Sequence, residues 1–190
     1  MRAGPAASAC RLFLFHKTMP ELIPVLSREE IEKSIERIAA RISADYQNCE
    51  PVLVGVLKGA FVFLADLIRC LAIPVKVDFV RTASYGDQTS SSGTVALTKP
   101  LEIDVAGKHV LVVEDIVDTG ITLRWLVDYL SGLGSASVKA CTLIDKKERR
   151  QVQVQVDYVC NVVDKGFLVG YGLDYAERYR HLPAVYHLKM

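Results

Sequence analysis

Hydrophobic residues recur along this chain at helical spacing, in continuous runs and in alternation. Ile31, Ile35, Ile38 and Ile42 stand three or four apart with charges between them, the period of a helix with one buried face. Ser27, with Glu30 three residues on, forms a capping box, so this helix is expected from about Ser27 to Ala44. Pro51 to Leu57 is a continuous β-branched run, suited to a strand buried on both faces. Lys58-Gly59 breaks it, and Ala60 to Leu71 reads as a buried helix. Val75 to Val80 alternates as a strand. Residues 84–93 are polar and small, and Thr94 to Leu97 returns as a strand, so a hairpin arm with a mobile tip is expected. His109 to Val113 is a second fully apolar strand, ending in Glu114-Asp115. Asp118-Thr119-Gly120 then leads into a helix of about Ile121 to Leu130, stopped by Gly132 and Gly134. Val138 to Ile144 and Tyr158 to Val163 complete the strands, ending at Asp145-Lys146-Lys147 and Asp164-Lys165.

Apolar strands alternating with helices predict an α/β fold, a parallel central sheet flanked by helices on both faces. Lys58, Glu114, Asp115, Asp118, Lys146 and Lys165 each follow such a strand, at the edge where open α/β sheets bind ligands. Water also meets strand ends, which is explanation enough for Lys147 or Lys165 alone. It explains Glu114-Asp115 less well, because these two carboxylates repel each other beside a buried strand.

The 190 residues suit one domain, and 51% hydrophobic with 24% charged residues excludes a disordered chain. A net charge of +1 leaves no strong basic field, so no nucleic-acid partner is expected. No apolar run approaches the roughly 20 residues of a membrane span, so no membrane partner is expected either. The five cysteines include no CxxC pair; Cys70, Cys141 and Cys160 sit in apolar runs. A reducing cytoplasm fits this usage better than a zinc site or a disulfide frame. His16, His109, His181 and His187 show no ligand spacing and read as structural or surface. The first acidic residue is Glu21, and residues 1–18 carry Arg2, Arg11 and Lys17 among small residues. A targeting peptide is one reading of them; a disordered extension ahead of a domain spanning 19–190 is the favoured one.

From Val112 to Thr122 a strand delivers two carboxylates, a tight loop of small and hydroxyl residues follows, and a helix begins. Backbone N–H groups of such a loop, with a helix N-terminus behind them, make a pocket for phosphate, and Thr119 and Thr122 add hydroxyl donors. The carboxylates would repel that phosphate unless ribose hydroxyls or a divalent cation lie between. The chemistry points to a phosphorylated sugar with a metal.

This run closely resembles the phosphoribosyl-pyrophosphate signature of type I phosphoribosyltransferases. Leu57-Lys58-Gly59 resembles the family's pyrophosphate loop, which often holds a cis peptide before the Lys. Ser84-Tyr85 resembles the pair in its mobile lid. Asp145-Lys146 and Phe167 to Tyr175 resemble the base-binding segments of its hypoxanthine-guanine members, and Arg180 follows at the usual distance. The resemblance covers about Leu22 to the C-terminus and implies a small hood and a mobile lid hairpin added to the sheet.

The implied reaction is purine salvage: N9 of hypoxanthine or guanine displaces pyrophosphate from C1 of 5-phosphoribosyl 1-pyrophosphate, giving IMP or GMP. By resemblance, Lys58, Gly59, Glu114, Asp115, Ile116, Val117, Asp118, Thr119, Gly120, Ile121, Thr122 and Arg180 bind the donor. Glu114 and Asp115 hold the ribose diol, directly or through metal-bound water, and residues 118–122 wrap the 5-phosphate. Asp118 lies near the purine N7 as the catalytic proton acceptor. Lys146 donates to O6, Phe167 stacks on the base, and backbone at Gly166 to Leu168 reads its edge. Ser84 and Tyr85 close over the site, with Arg81 in support. Two Mg²⁺ ions are implied, with Glu114, Asp115 and Asp174 as the metal-binding carboxylates, and the family implies a homodimer or homotetramer. Lys147, Arg149 and Arg150 are expected to be solvated charges. A regulatory RNA-binding role, found in some members of this fold, would need a basic face that 23 basic against 22 acidic residues do little to support. An unrelated α/β nucleotide binder is disfavoured because several separate segments agree in chain order.

Overall fold

The computed structural model describes residues 20–85 and 94–189. The expectations for residues 1–18 and for the tip of the hairpin arm at 86–93 lie outside the described residues.

Helix α1 (Arg28–Asp45) begins where the capping box places it. Ser27 Oγ accepts from the Glu30 N–H at 3.2 Å, and Glu30 Oε2 accepts from the Ser27 N–H at 2.8 Å. Its four isoleucines are buried, each contributing roughly 1.5–3 kcal/mol by leaving water. Strands β2 (Val52–Leu57), β3 (Lys76–Tyr85), β5 (His109–Val117), β6 (Ser137–Lys146) and β7 (Tyr158–Val163) run parallel, and β4 (Thr94–Lys99) pairs antiparallel with β3. The order across the sheet is β4-β3-β2-β5-β6-β7. Alternation along each strand divides the core. Leu53, Leu111 and Val113 pack under α1 and α2 (Phe61–Cys70), while Val52, Val54, Val110 and Val112 pack under α3 (Ile121–Gly132).

Four strands run past their expected ends: β3 continues from Val80 to Tyr85 and β4 from Leu97 to Lys99, and β5 and β6 lengthen together. The sequence ends β5 at the acidic pair and β6 at Ile144, but their ladder continues to Val117 opposite Asp145. Backbone pairing costs the polar side chains nothing as long as they leave the ladder sideways, so hydrophobicity alone misplaces both ends. Gly132 is the last residue of α3, and Gly134, at φ +80°, follows it. Cys70 is exposed, unlike Cys141 and Cys160.

A second sheet, β1-β9-β8, stands apart from the main one: β1 (Glu21–Leu26), β9 (Val185–Lys189) and β8 (Leu168–Val169). The sequence reading lacked all three strands. Pro24 interrupts β1, and the register shifts beside it, as an edge strand tolerates. Strands β8 and β9 are too short to show a period. Together they form the small hood that the resemblance implies.

Candidate active site

Because β5 continues through the acidic pair, its side chains alternate there as well. Glu114 turns to the α3 face and lines a cavity of about 120 Å³ with Val117, Asp118, Thr119, Gly120 and Thr122. Asp115 turns to the other face, over the loop after β2. Burial lifts the Glu114 carboxyl well above the ordinary range, and Asp115 adds to the rise. Burial also raises Asp115 to about 6, against the Ile116 N–H that Oδ1 accepts at 2.9 Å and the attraction of Arg180. One buried acid and one partly buried, both with raised carboxyls, favour a positive partner.

Gly120 caps α3 at φ +82°, and a β-carbon there would lie 2.6 Å from the Val152 carbonyl, so only glycine fits. It offers no side chain to the helix, and the first turn carries no acidic residue. The Ile121 N–H reaches Thr119 Oγ1 only at 3.4 Å. The cavity therefore meets the positive end of a helix whose first N–H groups suit an anion.

Across from Asp115 lies the loop after β2. Its Leu57–Lys58 peptide is cis. A β-carbon on Gly59 would stand 1.6 Å from Asp115 Oδ2, so glycine is what lets loop and acid meet. Lys58 Nζ lies 2.9 Å from Glu177 Oε2, and that hydrogen bond holds Glu177 below the usual carboxylate range. Arg180 is mostly buried. Its Nη1 donates to the Gly172 carbonyl at 2.8 Å, Nη2 lies 2.7 Å from Asp174 Oδ1, and Nε has no partner among the described residues. Asp174 Oδ2 accepts from the Glu177 N–H at 2.9 Å. Asp174 is thus tied to Arg180 here.

Lys146, at the end of β6, has a side chain only 7% exposed, with Nζ 3.7 Å from Asp118 Oδ1 and 3.3 Å from Glu148 Oε2. Asp118 Oδ1 is buried and accepts no hydrogen bond from the described residues. Glu148 accepts from the Gly166 N–H at 3.1 Å, which holds its carboxyl down and links the two segments expected to read the base. Phe167 is 44% exposed and stands edge-on to Tyr175 at 5.6 Å, which removes the bland reading of a core aromatic. Leu168 is buried in β8, beside it.

The expected donor and base residues thus gather at one sheet edge. Ser84 and Tyr85 end β3 opposite Val95 and Thr94, with side chains outside the described residues. Arg81 is exposed at the base of that arm. Lys147 and Lys165 are exposed as expected, and the Arg149 side chain, 64% exposed, reaches Asp118 Oδ2 only at 3.7 Å. Arg150 corrects the reading: its side chain is 13% exposed and bonds the backbone of the phosphate loop. Glu148 and Glu177 were also missed. Nothing in the local pattern separates them from solvated charges; only the fold brings Lys146 to one and Lys58 to the other.

No group of three or more His, Cys, Asp or Glu side chains among the described residues is arranged to hold a metal ion. The raised carboxyls of Glu114 and Asp115, with Asp174 adding repulsion, nonetheless fit a hard cation that completes its shell from substrate oxygens and water.

An open parallel sheet with an anion cradle, paired acids and a cationic loop at its carboxyl edge defines a binder of phosphorylated sugars. The chain belongs to the phosphoribosyltransferases: the phosphoribosyl transferase domain matches residues 25–176. It is 43% identical over 165 residues to the hypoxanthine-guanine phosphoribosyltransferase of Bacillus subtilis (strain 168), covering 87% of this chain and 92% of that one. It is 46% identical over 163 residues to the Aquifex aeolicus protein of the same name, covering 85% and 92%. A crystal structure of a Bacillus anthracis hypoxanthine-guanine phosphoribosyltransferase superposes with a TM-score of 0.83 at 41% identity, over 88% of this chain and 99% of that one. A Trypanosoma cruzi hypoxanthine phosphoribosyltransferase superposes at 0.84 with 38% identity, over 92% and 94%.

Proposed function

We infer that this chain transfers the 5-phosphoribosyl group of phosphoribosyl pyrophosphate to N9 of hypoxanthine or guanine, giving IMP or GMP and pyrophosphate. The observation that carries this reading is the cradle at 118–122 set between Glu114-Asp115 and the pair Lys146 and Phe167. In the reaction the C1–N9 bond forms, the bond from C1 to pyrophosphate breaks, and pyrophosphate leaves with the electron pair. Residues 118–122 bind the 5-phosphate, and Glu114 and Asp115 take the ribose diol. Their negative charge favours the positive charge that develops on the sugar. Lys58 and Arg180 take the pyrophosphate, Lys146 donates to O6, and Phe167 stacks on the base with Gly166 and Leu168 at its edge. Asp118, whose Oδ1 has no partner among the described residues, accepts the purine proton near N7. Ser84 and Tyr85 close over the site. Glu114, Asp115 and Asp174 would hold Mg²⁺, two ions in the working complex, which supplies charge to balance the diphosphate.

A homodimer or homotetramer belongs to the same reading, since exposed Phe61 on α2 is apolar surface a second copy would cover; light scattering checks it. So do a cytoplasmic location, in keeping with the free cysteines, and a domain of 19–190 behind a dispensable extension of 1–18. The deciding experiment supplies purified chain with the donor, Mg²⁺ and hypoxanthine, guanine, xanthine or adenine. IMP and GMP with equimolar pyrophosphate are expected; no nucleotide from either 6-oxopurine would overturn the reading.

A further inference from the structure

Arg150 sits outside every segment so far given a role. Its guanidinium nevertheless reaches two of them at once. Nε donates to the Asp118 carbonyl at 3.0 Å and Nη2 to the Val117 carbonyl at 3.0 Å, both at the opening of the phosphate loop. Nη2 also donates to the Lys146 carbonyl at 3.2 Å and pairs with the buried Asp145 carboxylate at the end of β6. The next two residues continue the contact: the Gln151 and Val152 N–H groups donate to the Thr119 carbonyl at 2.9 and 3.1 Å.

Three successive carbonyls, those of Val117, Asp118 and Thr119, are therefore drawn outward to residues 150–152. In a trans peptide the N–H points opposite to the carbonyl of the same unit. Drawing these carbonyls outward turns the N–H groups of Asp118, Thr119 and Gly120 the other way, toward the cavity that this loop lines. A planar fork spanning two carbonyls of one loop and anchored on a carboxylate is a task for arginine; a lysine ammonium is a single point of charge.

We propose that Arg150 is a positioning residue for the 5-phosphate: it braces the loop against the end of β6 and so aims the loop amides at the phosphoryl oxygens. This rests on the reading above and extends it to a residue that touches no substrate. The prediction is a selective one, falling on ligands that carry the phosphate and sparing those that do not.

The test compares GMP and guanosine, each titrated as an inhibitor and by calorimetry, on the wild type, Arg150→Lys and Arg150→Met. Arg150→Lys keeps a positive charge beside Asp145, so it decides the matter even if Arg150→Met does not fold. GMP should weaken at least about tenfold in Arg150→Lys, with guanosine within about twofold, a selective difference of the size expected for losing bonds that orient one subsite. The KM for the donor should rise more than the KM for the base. Equal weakening of GMP and guanosine, or a lowered melting temperature with both affinities kept, would show a merely structural brace and overturn the proposal alone. A wild-type chain that binds neither GMP nor the donor overturns the parent reading, and this inference with it.

Discussion

Asp118 and Lys146 stand 3.7 Å apart, beyond hydrogen-bond range yet close enough for their charges to interact. Lys146 leans instead on Glu148 at 3.3 Å, which leaves the buried Asp118 Oδ1 without a donor among the described residues. The proton-accepting role proposed for Asp118 rests on that open oxygen. Asp118→Asn should fold normally and lower kcat by about 10²-fold or more, the loss expected when an acid–base group is removed; turnover near wild type in steady-state assays would take the role from Asp118. Lys146→Ala removes the proposed donor to O6. Discrimination against adenine should then shrink by roughly 1–3 kcal/mol, read as the ratio of kcat/KM for hypoxanthine and adenine, and an unchanged ratio counts against the assignment. Both residues stand out in the sequence because each closes an apolar strand or opens a glycine-containing loop. Arg150 does not stand out: a guanidinium in the run Asp145 to Arg150 is exposed or buried according to how the following loop folds back.

At the junction of β5 and α3 the loop has little freedom. Gly120 holds φ +82° with the Val152 carbonyl 2.6 Å from where a β-carbon would go. Gly120→Ala should cost roughly 1–3 kcal/mol in backbone strain and displace the first N–H groups of α3. The expected outcome is a melting temperature lower by several degrees together with a raised KM for the donor; a KM unchanged in the face of that loss of stability would mean the junction does not set the phosphate site. The tight turn is legible from Asp-Thr-Gly, but the obstacle is not, since Val152 lies on another segment. The overlong β5 and β6 have a related cause. The ladder between them carries β5 through the acidic pair to Ile116 and Val117, which return to the core, so Glu114 and Asp115 belong to the ladder and emerge on opposite faces of it.

Across the whole molecule, the two acids are raised because the sheet and its helices take them out of water. Asp115 goes from an ordinary 3.8 to about 6, and Glu114 moves in the same direction. A carboxyl whose folded pKa exceeds its unfolded one favours the fold while protonated. That stability is fully present below about pH 3.8 and is lost as pH rises through about 6. Asp115→Asn should therefore melt higher than wild type at pH 7.5 and at nearly the same temperature at pH 4, while losing activity. A gain of equal size at both pH values, in thermal melts without substrate, would mean the carboxylate is not desolvated. If Glu114 and Asp115 take the ribose diol and its cation as proposed, donor affinity should climb between pH 5 and 7. With their carboxyls raised in this way, the ionised acids oppose the unliganded fold at neutral pH, a cost that a bound cation offsets.

The residue pattern alone settles the α/β class, the capped first helix, the apolar strands and the acidic loop motif, because each is a local period or a contiguous run. The close meetings come from the tertiary structure. Lys58 reaches Glu177 across 119 positions of chain, and Asp115 rests on Gly59. The hood joins a strand from each end of the described chain. Arg150 leaves water to brace a loop 32 positions away. Pairings at such separations leave no period along the chain, and only folding decides which charges meet and which remain solvated.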